Sequence, residues 1–166
     1  MHNKKNTLFR TGSKPNQEKI ERDKFHETNV IDLKGFDSVM GLQFENLVLN
    51  NTKYVLEALS LSLNEIEMDG PFFQRGTKSH KGCQADYMIQ TKYKTLYLIE
   101  IKFSRNKLEQ TVISEVQHKI DALKKPKNTV VLPVIIHISG VSEKIIDADY
   151  FYRIIDFTDF LYQAVS

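Results

Sequence analysis

Thr95-Leu96-Tyr97-Leu98-Ile99-Glu100-Ile101-Lys102-Phe103 reads as a strand that is apolar on both faces until two charges interrupt one of them. Side chains alternate across a strand, so Tyr97, Ile99, Ile101 and Phe103 share one face, while Leu96, Leu98, Glu100 and Lys102 share the other. A strand apolar on both sides is a central strand covered by helices, where an unpaired carboxylate or ammonium is costly. Glu100 and Lys102 therefore need partners. A divalent cation and a phosphate would supply both, the carboxylate as ligand and the ammonium beside the attacking water or the phosphoryl oxygens. The plainer alternative is an ion pair at the solvated end of a strand.

What stands upstream gives the pair its weight. Cys83-Gln84-Ala85-Asp86-Tyr87-Met88-Ile89-Gln90 is a second strand pattern, joined to the first through the polar segment Thr91 to Lys94 as a hairpin. Placing Asp86 opposite Glu100 sets Gln84 against Lys102 and Met88 against Leu98, which segregates polar pairs from apolar ones. A slip of one residue would set Asp86 against Ile99 and part the two acids, so the first register is expected.

The chain has 166 residues, the size of one domain with one well-formed core. Its hydrophobic fraction of 41% and charged fraction of 27% exclude a fibrous or disordered body. Cys83 is the only cysteine, which allows no internal disulfide and suits a reducing interior. The longest apolar run, Val130 to Ile138, is broken by Pro133 and His137 and is too short to span a bilayer, so a cytoplasmic protein without a membrane partner is expected. Net charge is only +2, yet residues 75–107 carry eight basic side chains against two acids, a local +6 that leaves −4 for the remainder. Those two acids are Asp86 and Glu100. Such a field suits a phosphate backbone, with Arg75, Lys78, Lys81, Arg105 and Lys107 as the nucleic-acid-binding candidates. The alternative is a solvated basic loop.

In chain order, residues 1–34 are polar and lysine-rich and read as an arm or linker with a short helix over 17–25, and residues 35–166 form the domain. Asp37 is placed to cap a helix over 38–49 whose stripe is Met40, Phe44, Leu47 and Val48. Asn50-Asn51 interrupts it before a second short helix, and Gly70-Pro71 reads as a turn into a strand over 72–75. Residues 76–82 form a basic loop. Its His80-Lys81-Gly82-Cys83 has zinc-ligand spacing but lacks a second pair elsewhere. Asn106 and Glu109 predict a capped helix start, followed by apolar Leu108, Val112, Val116, Ile120 and Leu123. Gln117 falls at the edge of that stripe, in reach of a phosphate or a metal-held water, or is simply solvated. A central strand over 129–138 contains Pro133, which predicts a bulge or an unpaired segment there. The aromatics Tyr150, Phe151 and Tyr152 read as packing rather than base stacking, ahead of a closing helix over 158–164. No phosphate-binding loop of the G-x-x-x-x-G-K-[ST] form occurs, so no ATP binding and no other organic cofactor are expected.

Asp86 followed by Glu100-Ile101-Lys102 on the next strand resembles the active-site signature of the PD-(D/E)XK nuclease superfamily, with Ala85 where the namesake proline would stand. Gly41-Leu42-Gln43-Phe44-Glu45-Asn46-Leu47-Val48, Phe72-Phe73-Gln74-Arg75 and Lys81-Gly82-Cys83-Gln84-Ala85-Asp86 further resemble the nuclease-like C-terminal domain of certain prokaryotic, archaeal-type ATPases, over roughly residues 36 to 160. The resemblance implies an α/β restriction-endonuclease-like core, a mixed sheet flanked by helices in the order αβββαβ. It implies a nuclease in which Asp86, Glu100, the Ile101 carbonyl and Glu45 hold Mg²⁺ or Mn²⁺. Lys102 would orient or activate water, with Gln117 as a further catalytic candidate and DNA as the expected substrate. The rival is a nuclease-derived domain that binds nucleic acid or docks an ATPase without cutting, or a fragment of a split ATPase. Oligomeric state is not legible from these residues.

Overall fold

The computed structural model describes residues 35–163; the expected arm over 1–34 with its short helix, and the last residue of the expected closing helix, lie outside them. One sheet carries five strands in spatial order β1 (Ile66–Gln74), β2 (Cys83–Thr91), β3 (Thr95–Lys102), β4 (Val130–His137) and β5 (Arg153–Asp156). The first three are antiparallel neighbours, whereas β3, β4 and β5 run parallel. Helices α1 (Phe36–Leu49) and α2 (Thr52–Ala58) precede the sheet, α3 (Thr111–Ala122) carries the chain from β3 to β4, α4 (Glu143–Asp147) from β4 to β5, and α5 (Thr158–Gln163) follows. A parallel pair requires a crossover, and α3 provides it. The result is a mixed sheet with helices on both faces, the αβββαβ order of a restriction-endonuclease-like core.

The central strands bury both faces, as their sequences require. On one side Phe44 and Val48 of α1 and Val55 of α2 pack with Tyr97, Ile99 and Ile101 of β3. On the other, Val112 and Val116 of α3 and Ile145 of α4 pack with Leu96 and Leu98. Glu100 and Lys102, in step with Leu98, belong to the α3 side. Met88 pairs with Leu98 as the hairpin register predicts.

Several local expectations need correction. Asp37 lies inside the first turn of α1, where its carboxylate accepts from Arg105 Nε at 2.6 Å instead of capping the helix, and Leu47 is 37% exposed rather than in the stripe. Strand β1 runs straight through Gly70-Pro71, which makes a bulge and not a turn. Helix α3 begins at Thr111, not near Asn106, because Leu108 bonds through its backbone to Gly140 and Ser142 and bridges to Val141. Pro133 causes no bulge, since β4 pairs with β3 without a break from Val130 to His137. The Pro133 carbonyl accepts from Tyr152 N at 2.9 Å on the β5 side. In an extended strand a residue's N and O point the same way, so its missing donor also faces that side, before the first β5 pair at Val134 and Arg153.

Candidate active site at the end of the hairpin

The site begins with the bulge. Gly70 pairs with Met88 and Phe72 with Ala85, so Pro71 alone faces both Asp86 and Tyr87. The extra residue resets the alternation: Ala85 and Met88 both pack on the α3 side, while Tyr87 packs toward α1 and donates to Asp69 Oδ2 at 2.5 Å. Asp86 is thereby aimed at the neighbouring backbone, and its Oδ2 accepts from Ile101 N at 2.8 Å. The β2–β3 ladder ends at Tyr87 and Ile99, one step before Asp86 and Glu100. From that point a carboxylate holds the two strands together in place of a peptide.

Glu100 is 2% exposed, a burial that an ionised carboxylate tolerates only with partners. It has two. Lys102 Nζ lies 3.0 Å from Glu100 Oε1, and the Lys119 ammonium of α3 is paired with Oε2. Lys102 is held a second time, at 3.0 Å, by Glu115 Oε2. Glu115 and Lys119 are four residues apart and so face the sheet together from one side of α3. Burial disfavours the Lys102 ammonium, but Glu100 and Glu115 outweigh it and hold its pKa above the ordinary lysine value. Lys102 is therefore an ammonium at neutral pH, donating to both carboxylates. Burial pushes Asp86 up to about 6, with the adjacent Glu100 adding to the rise; the Ile101 N–H and Lys119 oppose it, and Glu45 contributes last.

Asp86, Glu100 and Lys102 thus converge, and Glu115 and Lys119 join them without having been singled out from the sequence. The available signal was Lys119 itself, a charge three residues beyond buried Val116 and four before buried Leu123, inside the apolar stripe of α3. Gln117 is not brought to Glu100: its amide donates to Asp121 Oδ1 at 2.7 Å and its oxygen accepts from Tyr150 at 2.9 Å. Glu45 is half-buried on α1 and reaches Asp86 through its field. Among the described residues no three His, Cys, Asp or Glu side chains gather closely enough to hold a metal ion. The donor set still fits a hard divalent cation. Glu100 disfavours charge on Asp86, Asp86 Oδ1 has no hydrogen-bond partner among the described residues, and magnesium is commonly held by one or two carboxylates with water and substrate phosphate completing the shell.

A groove of about 690 Å³ opens beside Asp86, between the loop after β1 and the C-terminal half of α3. Gln74 builds it: Nε2 donates to Lys81 O and to Ala122 O, both at 2.9 Å, while Oε1 accepts from Lys124 N at 2.8 Å. The loop's neck is tight enough that a Cβ on Gly82 would stand 3.2 Å from Gln74 O and from Gly76 N. Arg75, Lys78 and Lys81 are exposed on this loop, and Arg105 and Lys107 are exposed after β3, with Arg105 engaged by Asp37. Gln74→Ala removes three hydrogen bonds that tie the loop to α3. It is expected to cost about 1–3 kcal/mol and to speed amide exchange at Lys124, whose N–H loses its acceptor, measured by denaturant unfolding and hydrogen exchange.

No family model matches the chain, and no curated protein matches it. Among solved structures it is similar to the crystal structure of a repair endonuclease from Pyrococcus abyssi, with a TM-score of 0.43 and 15% identity over 78% of this chain. The alignment spans 49% of that protein's chain, about half its length. Among the described residues no helix is long and apolar enough to cross a membrane.

Proposed function

We propose that this chain is a metal-dependent nuclease of the PD-(D/E)XK type that hydrolyses phosphodiester bonds in DNA. The observation that carries the reading is the meeting of Asp86, Glu100 and Lys102, from two neighbouring strands, at the point where their ladder ends. In this reading Asp86 and Glu100, with the Ile101 carbonyl, are the ligands of Mg²⁺ or Mn²⁺. When bound, the ion supplies Lewis-acid charge at the phosphoryl oxygens. Lys102, kept protonated by Glu100 and Glu115, donates to a non-bridging phosphate oxygen or to the attacking water and offsets charge as it develops there. Glu45 adds negative charge near Asp86, and Arg75, Lys78, Lys81, Arg105 and Lys107 hold the polymer's backbone.

A second reading has its own support: both Glu100 oxygens are taken by ammonium groups, and among the described residues no third acid gathers with the two strand carboxylates to hold a metal. In it the chain binds nucleic acid, or docks an ATPase, without cutting. Incubating the protein with labelled single- and double-stranded DNA and RNA separates the two. Cutting of DNA in Mn²⁺ or Mg²⁺, abolished by chelator, is expected; binding with no cutting in either metal replaces the nuclease by the silent domain.

A further inference from the structure

Glu100 is held by two lysines that differ in what else holds them. Lys102 is shared with Glu115, whereas Lys119 is ion-paired with no second carboxylate among the described residues and meets Asp86 through its field. The backbone of Lys119 is fixed, because its carbonyl accepts from the buried Cys83 thiol at 3.3 Å, but its side chain borders the groove together with Lys81, His118 and Asp86. The Lys119 side chain is 26% exposed, against 3% for its partner Glu100. A cation entering between Asp86 and Glu100 would repel both ammonium groups. Glu115 retains Lys102, and the groove is the remaining outlet for Lys119. There a phosphate would meet Lys81, His118 and Lys119, with Asp121 opposing it on the wall and Asp86, the other acid of the lining, engaged by the cation.

We infer that Lys119 is a movable counter-charge: it neutralises Glu100 while the site lacks a cation, and turns into the groove to bind a phosphate of the nucleic acid once a divalent cation takes Glu100. This rests on the nuclease reading and adds to it a residue and a phosphate subsite. In it Lys119 competes with the metal and cooperates with the polymer, two effects of opposite sign in one side chain.

Lys119→Met, Lys119→Gln and Lys119→Arg in the full chain test this by calorimetric titration with Mn²⁺ alone and by fluorescence anisotropy of a DNA oligonucleotide in Ca²⁺. Lys119→Met is expected to bind Mn²⁺ about fivefold tighter than the native protein and DNA about threefold more weakly. Lys119→Arg should stay near the native protein in both. If melting shows that Lys119→Met does not fold, Lys119→Gln, which retains a donor for Glu100, is read in its place with the same signs. Unchanged or weaker Mn²⁺ binding by the variant overturns the inference and leaves the nuclease reading standing. Tighter Mn²⁺ binding with unchanged DNA affinity overturns the phosphate subsite. A native protein that binds no Mn²⁺ overturns both the inference and the reading beneath it.

Discussion

Lys102→Ala is expected to lower metal-dependent cleavage by about three orders of magnitude while the protein still folds. The cationic donor is lost, and Lys119, which meets the other Glu100 oxygen and borders the groove, does not stand where Lys102 stands. Stability should hold for the same reason. Glu100 keeps Lys119, so no buried carboxylate is orphaned, and the lost pair with half-exposed Glu115 is worth about 1 kcal/mol or less. Lys102→Arg is not a conservative change here, since a planar guanidinium does not repeat a single ammonium between two carboxylates. Single-turnover cleavage alongside thermal melting decides the matter. Cleavage by Lys102→Ala within about tenfold of native would remove Lys102 from the chemistry, and collapse of the fold would give it a structural role instead.

Asp86→Asn should make the metal-free protein more stable while ending cleavage. The Asp86 carboxyl is pushed up to about 6, chiefly by burial and then by Glu100. A folded-state value above the ordinary 3.8 means that the folded protein holds the proton more tightly than the unfolded chain. Stability therefore falls as pH rises through that interval, and the whole cost is present above it. Asparagine retains an oxygen to accept the Ile101 N–H and carries no charge. In chelator the variant is expected to gain about 2 kcal/mol at about pH 8, with the gain vanishing near about pH 4. Denaturant unfolding across that range measures it. A native protein at least as stable as the variant at the alkaline end would show that Asp86 is not disfavoured in the fold.

The two charged strands were legible because period-two alternation is strict and a slip of register would have parted Asp86 from Glu100. Met88 opposite Leu98 follows from that alone. The bulge was not legible as such, although Pro71 was its mark: a residue without an N–H facing two residues of β2. Reading Gly70-Pro71 as a turn followed from local propensity, which the sheet overrode. On α3 the stripe was recognised, but its charged neighbours Glu115 and Lys119 were not singled out. Gln117 was chosen from the edge that meets Tyr150, whereas Lys119 and Glu115 are the residues that meet β3. A helix's period gives its buried face, but which polar residue at the margin finds a buried partner depends on the angle at which the helix crosses the sheet, and that angle is a tertiary property.

Pro133 has a consequence for assembly of the sheet. Strand β5 is four residues long and comes late in the chain, too short for its own pairing to enforce one alignment. Sliding it two residues toward the start of β4 would preserve the facing of every side chain, but it would call for a backbone hydrogen that the pyrrolidine ring does not have. The imino acid thus works as a ratchet pawl, blocking in one direction a misalignment that hydrophobic patterning would leave unpunished.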